Sequence, residues 1–202
     1  MNKPVIALVG YPASGKEGVA GILRDRGFAS YSGGDVLRRI SEDLGLPTDR
    51  NQLIGLGNVL RAGFGTEVLM RGVKKKMQEI GQDPLVSGLV VDSLRNPGEV
   101  AYLKSELGAL VVNVWVPEEI RFERMLKRGK AGDPRTWEEF QALNAIDHGV
   151  GQERTGQDIA GCVELADVAL SAEGNLTDVE TRLNNLLASK GKIEGMPRSA
   201  RL

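Results

Sequence analysis

One octapeptide restricts this chain more than anything else in it. Gly10-Tyr11-Pro12-Ala13-Ser14-Gly15-Lys16-Glu17 follows the apolar run Val5–Val9 and opens a helix-forming stretch, Lys16–Asp25. The spacing G-x-x-x-x-G-K between a strand and a helix is that of a phosphate-binding loop, which belongs to α/β folds built on a parallel sheet. Glycines let the backbone curl until several N–H groups face one anion, and the helix that follows adds the positive end of its dipole. Lys16 then reaches the terminal phosphates of a nucleoside triphosphate. The cradle set is Gly10, Ala13, Ser14, Gly15, Lys16, Glu17 and Gly18. Glu17 stands where a Ser or Thr hydroxyl ordinarily ligates Mg²⁺, so the loop argues more for the triphosphate than for standard magnesium coordination. A ligand-free glycine turn is the alternative, and the flanking strand and helix weigh against it.

Further apolar runs at 28–31, 85–91, 110–116 and 167–170 alternate with helical patterns. Runs apolar on both faces indicate a five-stranded parallel sheet covered on two sides, a three-layer α/β fold. Asn96-Pro97 starts a helix with Glu99, Val100, Leu103 and Leu107 at buried-stripe spacing, Pro117 opens another over 118–130, and a last one covers Leu176–Ser189. With 202 residues and 41% hydrophobic content, the chain reads as one domain over 1–189. Residues 190–202, with Gly, Pro and four basic side chains, read as a flexible tail. Two stretches are long for simple crossovers, 33–82 and 128–159.

Composition excludes several classes. No apolar run approaches the roughly 20 residues of a membrane span, and the first residues lead into a strand rather than a signal peptide. The single cysteine, Cys162, allows no internal disulfide and suits a reducing cytoplasm. One Cys and one His, His148, cannot build a structural zinc site. A net charge of −1 speaks against a nucleic-acid partner held by its phosphates.

Three charged clusters can carry chemistry. Ser32-Gly33-Gly34-Asp35-Val36-Leu37-Arg38-Arg39 ends the second strand, on the edge where open α/β sheets bind ligands. Asp35 is there a helix cap, or a base or hydroxyl-positioning group. Arg38 is suited to grip an acceptor phosphate, with Arg61 joining from the next helix, and Arg39 reads as a solvated neighbour. Val90-Val91-Asp92-Ser93-Leu94-Arg95 ends the third strand: Asp92 is placed to organise Mg²⁺ and Arg95 to face a phosphate, or Asp92 simply caps a helix. Arg121, Arg124 and Arg128 share one helix face, solvated by default. Arg124 and Arg128, next to 128–159, are placed to neutralise charge on a transferred phosphoryl group. For Lys130, Arg135 and Arg154 a surface role is favoured.

These residues together resemble the nucleoside and nucleotide kinase branch of phosphate-loop proteins. The run from Ser32 to Arg38 resembles the S-T-G-D-x-L-R acceptor motif of adenylate kinases, with Gly33 where that motif has Thr, and Arg124-x-x-x-Arg128 resembles their lid-entry arginine pair. Asp92-x-x-Arg95-x-Pro97-x-Glu99 is similar to the D-x-R-x-P-x-E element of phage deoxynucleoside monophosphate kinases. From Gly34-Asp35 through Arg128-Gly129, Asp133-Pro134, Thr136 to Phe140 and Ala166-Asp167, the chain is most similar to an uncharacterised, mostly archaeal group described as adenylate-kinase-related or dephospho-coenzyme A kinase-like. The resemblance spans about residues 4 to 188. It implies a cytoplasmic ATP- and Mg²⁺-dependent phosphotransferase, monomer or homodimer, with a small nucleotide acceptor. It makes 33–82 an acceptor-binding insert and 128–159 a lid. Lys16, Asp92, Arg124 and Arg128 would be catalytic, and Asp35, Arg38, Arg61 and Arg95 would hold the acceptor. Asp35 would be a base only toward a hydroxyl, as in dephospho-coenzyme A. A nucleotide-binding regulator with little turnover is the competing reading, which Glu17 favours. A simple NTPase switch has no use for acceptor-side arginines.

Overall fold

The computed structural model describes residues 3–189 apart from 131 and 152, so the expected tail at 190–202 lies outside the described residues. Strands β1 (Val5–Val9), β2 (Phe28–Ser32), β3 (Gly88–Asp92), β4 (Leu110–Trp115) and β5 (Val168–Ser171) form one all-parallel sheet in the order β2-β3-β1-β4-β5. The central strand β1 is buried along its whole length. Alternation along the strands divides the core in two. Val5, Ala7 and Val9 face the layer built from α2 (Gly33–Asp43), α3 (Arg50–Phe64), a 3₁₀ turn (Val68–Met70), α4 (Gly72–Gly81), α5 (Pro97–Leu107) and α8 (Ile159–Glu164). Ile6 and Leu8 face the opposite layer, where α1 (Lys16–Asp25) packs beside α9 (Leu176–Ser189). This is the expected three-layer parallel α/β fold. Helix α6 (Glu118–Arg128) follows β4, and α7 (Trp137–Asp147) lies within the stretch 128–159 before β5.

Beyond one-residue shifts at strand ends, two element boundaries and one short helix differ from the sequence reading. The third strand starts at Gly88, not 85, because Asp83 Oδ1 accepts from Leu85 N at 2.9 Å and makes a turn that leaves Leu85 85% exposed. Helix α6 stops at Arg128, short of 130, since Gly129 takes the left-handed conformation at φ 56°. The short α8 has no counterpart in the periodicity.

The chain reverses its strand order at β1, and the carboxyl ends of β1, β2, β3 and β4 lie along one edge. Ser32 at the end of β2 pairs with Asp92 at the end of β3, and Val9 at the end of β1 pairs with Asn113. The phosphate loop at 10–17 and the clusters at 32–38 and 92–95 therefore emerge on the same side, where such sheets hold ligands.

Candidate active site

The loop after β1 takes the shape its glycines permit. Gly10 (φ 134°) and Gly15 (φ 103°) occupy conformations that L side chains rarely adopt. A Cβ on Gly10 would collide with the Val114 carbonyl of β4. Ala13 tolerates φ 63° between them, and the buried Ser14 closes the turn by donating its N–H to Tyr11 O at 3.2 Å. Lys16 arches back over this turn and donates to Gly10 O at 2.7 Å, Tyr11 O at 2.8 Å and Ser14 Oγ at 3.4 Å. Burial pushes its pKa down to about 7; the nearby Arg95 charge pushes the same way, and Asp92 and Asp147 oppose it. Glu17 is exposed on the first turn of α1, and Gly18 packs toward Leu176.

Asp92 ends β3, half-buried, close enough for its charge to act on Lys16. After it, Ser93 turns the chain at φ 60° and accepts from Ser32 Oγ at 3.2 Å, tying the ends of β2 and β3 together. Among the described residues no group of three His, Cys, Asp or Glu side chains could cage a metal. Mg²⁺ needs no such cage: it takes one or two carboxylates, phosphate oxygens and its own waters. Asp92 fits that requirement.

Arg124 reaches the loop, with Nη1 donating to Ala13 O at 3.3 Å and Nη2 to Ala172 O at 2.7 Å, beside Gly15. Arg128 forks onto Asp133, with both hydrogen bonds at 2.6 Å, and Glu17 adds to the field that keeps it charged.

The acceptor-side arginines do not converge as expected. Arg61 is 2% exposed and turned into the core, where it donates to Glu99 Oε1 from Nε at 2.9 Å with Nη2 at 2.8 Å. Glu99 is wholly buried, and its other oxygen accepts from Arg95 N at 2.7 Å and Asn96 N at 3.2 Å. A carboxylate that deep needs a counter-charge. Arg61 supplies it, which removes it from the acceptor set. Arg38 pairs with Asp35 one turn away on α2; both are well exposed, and Asp35 is no helix cap. Gly33 cannot carry the Thr of the adenylate kinase motif without moving Met70, whose Cε would lie 2.8 Å from the added Cβ.

Arg95 instead faces Asp147, the last residue of α7, at 3.7 Å. Arg50, at the start of α3, reaches the same carboxylate at 3.1 and 3.2 Å. Arg121 is not solvated either, being 3% exposed. Its guanidinium lies 4.8 Å over the Tyr11 ring and 5.1 Å from that of Phe140, and it donates to Asn144 Oδ1 at 2.9 Å. Tyr11 Oη and His148 Nδ1 are in hydrogen-bond contact at 2.9 Å. Burial raises the Tyr11 phenol to about 12, so it stays protonated. One turn of α7 therefore sits on the phosphate loop. One sequence signal for it exists: an acidic residue ending a helix opposes the dipole and implies a partner elsewhere. Beyond this turn, a cavity of about 440 Å³ is lined by Thr66, Asn96, Gly98, His148, Arg154 and Asp158.

Residues 6–143 match the family model described as an AAA domain. Over 187 residues the chain is 30% identical to a UPF0200 protein of Hyperthermus butylicus, covering 93% of this chain and 95% of that one. Among solved structures it is similar to TT1252 from Thermus thermophilus, with a TM-score of 0.60, 22% identity and coverage of 94% and 98%. It is also similar to shikimate kinase from Acinetobacter baumannii, with a TM-score of 0.55, 16% identity and coverage of 95% and 96%. These two likenesses concern the fold, which is that of phosphate-loop kinases. The chain belongs to the AAA-domain family and to the UPF0200 proteins.

Proposed function

We propose that this UPF0200 protein is an ATP-dependent phosphotransferase acting on a nucleotide or nucleotide-like acceptor. One observation carries the reading: a phosphate loop with its lysine lies among Asp92 and Arg95, from the end of β3, and Arg124, from α6. Lys16 and the loop N–H groups hold the β- and γ-phosphates. Asp92 would hold Mg²⁺, which would supply charge neutralisation at the phosphates. Arg95 and Arg38 hold the acceptor side, Arg38 after exchanging its exposed bond to Asp35. Arg124 and Arg128 stabilise the moving phosphoryl group, with 128–159 acting as lid and 33–82 as acceptor insert. Positioning and charge carry this chemistry, and a phosphate acceptor is already ionised and needs no base. Asp35 acts as one only toward a hydroxyl, the dephospho-coenzyme A version. The partners are small molecules rather than nucleic acid or membrane, in a cytoplasmic monomer or homodimer. No helix among the described residues is long and apolar enough to cross a membrane.

An acceptor screen with labelled ATP tests this, across ribo- and deoxynucleoside monophosphates and dephospho-coenzyme A. Transfer to one of them, lost in Lys16→Ala, is the expected result. Tight ATP binding without transfer to any supports the second reading, a nucleotide-binding regulator, which the exposed Glu17 in the magnesium position favours. Full activity in Lys16→Ala would assign the turnover to a contaminating kinase.

A further inference from the structure

Asp147 is a carboxylate in an unusual position. It is 1% exposed, it ends a helix whose dipole opposes it, and it lies among cations that come from other segments. Arg50 contacts both its oxygens, and Arg95 stands 3.7 Å from one. Its charge is felt at Lys16 of the phosphate loop and at Arg121 of α6. Among the described residues, Asp147 is the carboxylate in ion-pair contact with Arg50. Arg95 is half-buried, and this lowers its pKa, with Asp147 as the main group opposing the shift. Two guanidiniums converging on a pair of oxygens, next to the lysine of a phosphate loop, are what recognition of a phosphate monoester requires. A carboxylate shares the charge sign and the paired-oxygen geometry of that ligand.

We propose that Arg50 and Arg95 form the binding site for the acceptor's phosphate monoester, and that the Asp147 carboxylate holds this place until the acceptor arrives. The proposal rests on the phosphotransferase reading of the cleft. It adds Arg50 and Asp147, on which that reading does not depend. The incoming dianion carries more charge than the carboxylate and displaces it from the arginines. Asp147 then leaves with the last turn of α7, the turn that also bears Asn144 and His148.

The test is binding without ATP, by titration calorimetry of the full chain with AMP and with inorganic phosphate. Asp147→Asn keeps the shape of the side chain but withdraws the competing charge. It is expected to tighten binding of both probes about tenfold, and Arg50→Gln to weaken it at least as much. Weakened or unchanged binding in Asp147→Asn overturns the proposal, as does failure of both probes to bind either folded protein. A measurement on the unaltered chain stands independently of whether the variant folds. Hydrogen exchange of the 144–148 amides is expected to rise when AMP or phosphate is added alone, and unchanged or slower exchange there overturns the displacement. The two readings fail separately. Tightened binding in Asp147→Asn with no transfer from ATP to any acceptor leaves this site standing without the kinase. Transfer from ATP with Asp147→Asn binding AMP as the wild type does leaves the kinase without this site.

Discussion

Lys16 makes the cleft a measurable proton acceptor. Its pKa is pushed from 10.5 down to about 7, first by burial and then by the charge on Arg95. At pH 8 about 0.9 of the free protein therefore carries a neutral Lys16, and at pH 6 about 0.1. A bound triphosphate brings the negative charge that favours the ammonium form. ATP binding should thus take up close to one proton at pH 8 and almost none at pH 6. Phosphate monoesters lose their last proton near pH 6, so the ligand contributes little at the higher pH. The assay is calorimetric titration of Mg·ATP in buffers of different ionisation enthalpy, where the slope of observed enthalpy gives the protons taken up. Lys16→Met should abolish the uptake at pH 8. Arg95→Gln should reduce it, because losing that neighbouring charge raises the lysine's pKa. The stability of the free protein has a matching sign. Between about pH 7 and 10.5 the unfolded chain holds more protons on this lysine than the folded one does. The contribution of Lys16 to stability therefore rises with pH across that window, and the cost of its burial is greatest below pH 7. A zero slope at pH 8, or uptake that survives Lys16→Met, would refute the reasoning.

Arg61→Met strands the Glu99 carboxylate in the core and should cost about 3–5 kcal/mol in urea unfolding, while the folded fraction binds AMP as before. Loss of AMP affinity with unchanged stability would return Arg61 to the acceptor set. Gly10→Ala forces a Cβ against the Val114 carbonyl at a positive φ, so it should lose about 3 kcal/mol or more and most ATP binding; a wild-type melting temperature would contradict the loop geometry. Glu17→Ser removes a carboxylate from the phosphate end of α1 and adds the hydroxyl Mg²⁺ ordinarily uses there. It should tighten Mg·ATP by on the order of 1 kcal/mol, about fivefold, and unchanged affinity would mean that position 17 plays no part in metal or phosphate binding.

The sequence exposes what depends on local rules. The β1 strand, the phosphate loop and α1 follow one another within 25 residues, and each is set by its neighbours: an apolar run, then glycines, then a helix start. The two-faced sheet is likewise legible, because strands buried on both sides show as continuous apolar runs. Leu85 looks like part of such a run because the turn set by Asp83 leaves no apolar signature. Charge partners are another matter. Arg38, Arg61 and Arg95 all look equally free in one dimension. Arg61 is claimed by Glu99, 38 positions away, and Arg50 meets Asp147 across 97. Such pairs form because desolvated charges must find counter-charges wherever the fold brings them, and nothing in local spacing records the match. Arg121 escapes local spacing for the same reason: its face of α6 is charged, yet Phe140 and Tyr11 close over it.

The last turn of α7 joins both halves of the cleft. Positions 144, 147 and 148 lie three and four residues apart and share one helix face. Asn144 holds Arg121, which covers Tyr11; Asp147 holds Arg50 and Arg95; His148 holds Tyr11 directly. The phosphate loop and the start of α3 therefore contact the same rigid turn by separate bonds. Moving that turn breaks the bonds together, because a helical turn rotates or withdraws as a unit. A ligand that displaces Asp147 from the arginines thus also loosens the cover on Tyr11 at the loop, and a ligand that rearranges the loop shifts the carboxylate between the arginines. Linkage makes the effect reciprocal: the factor by which triphosphate changes affinity for an anion at Arg50 and Arg95 equals the factor in the other direction.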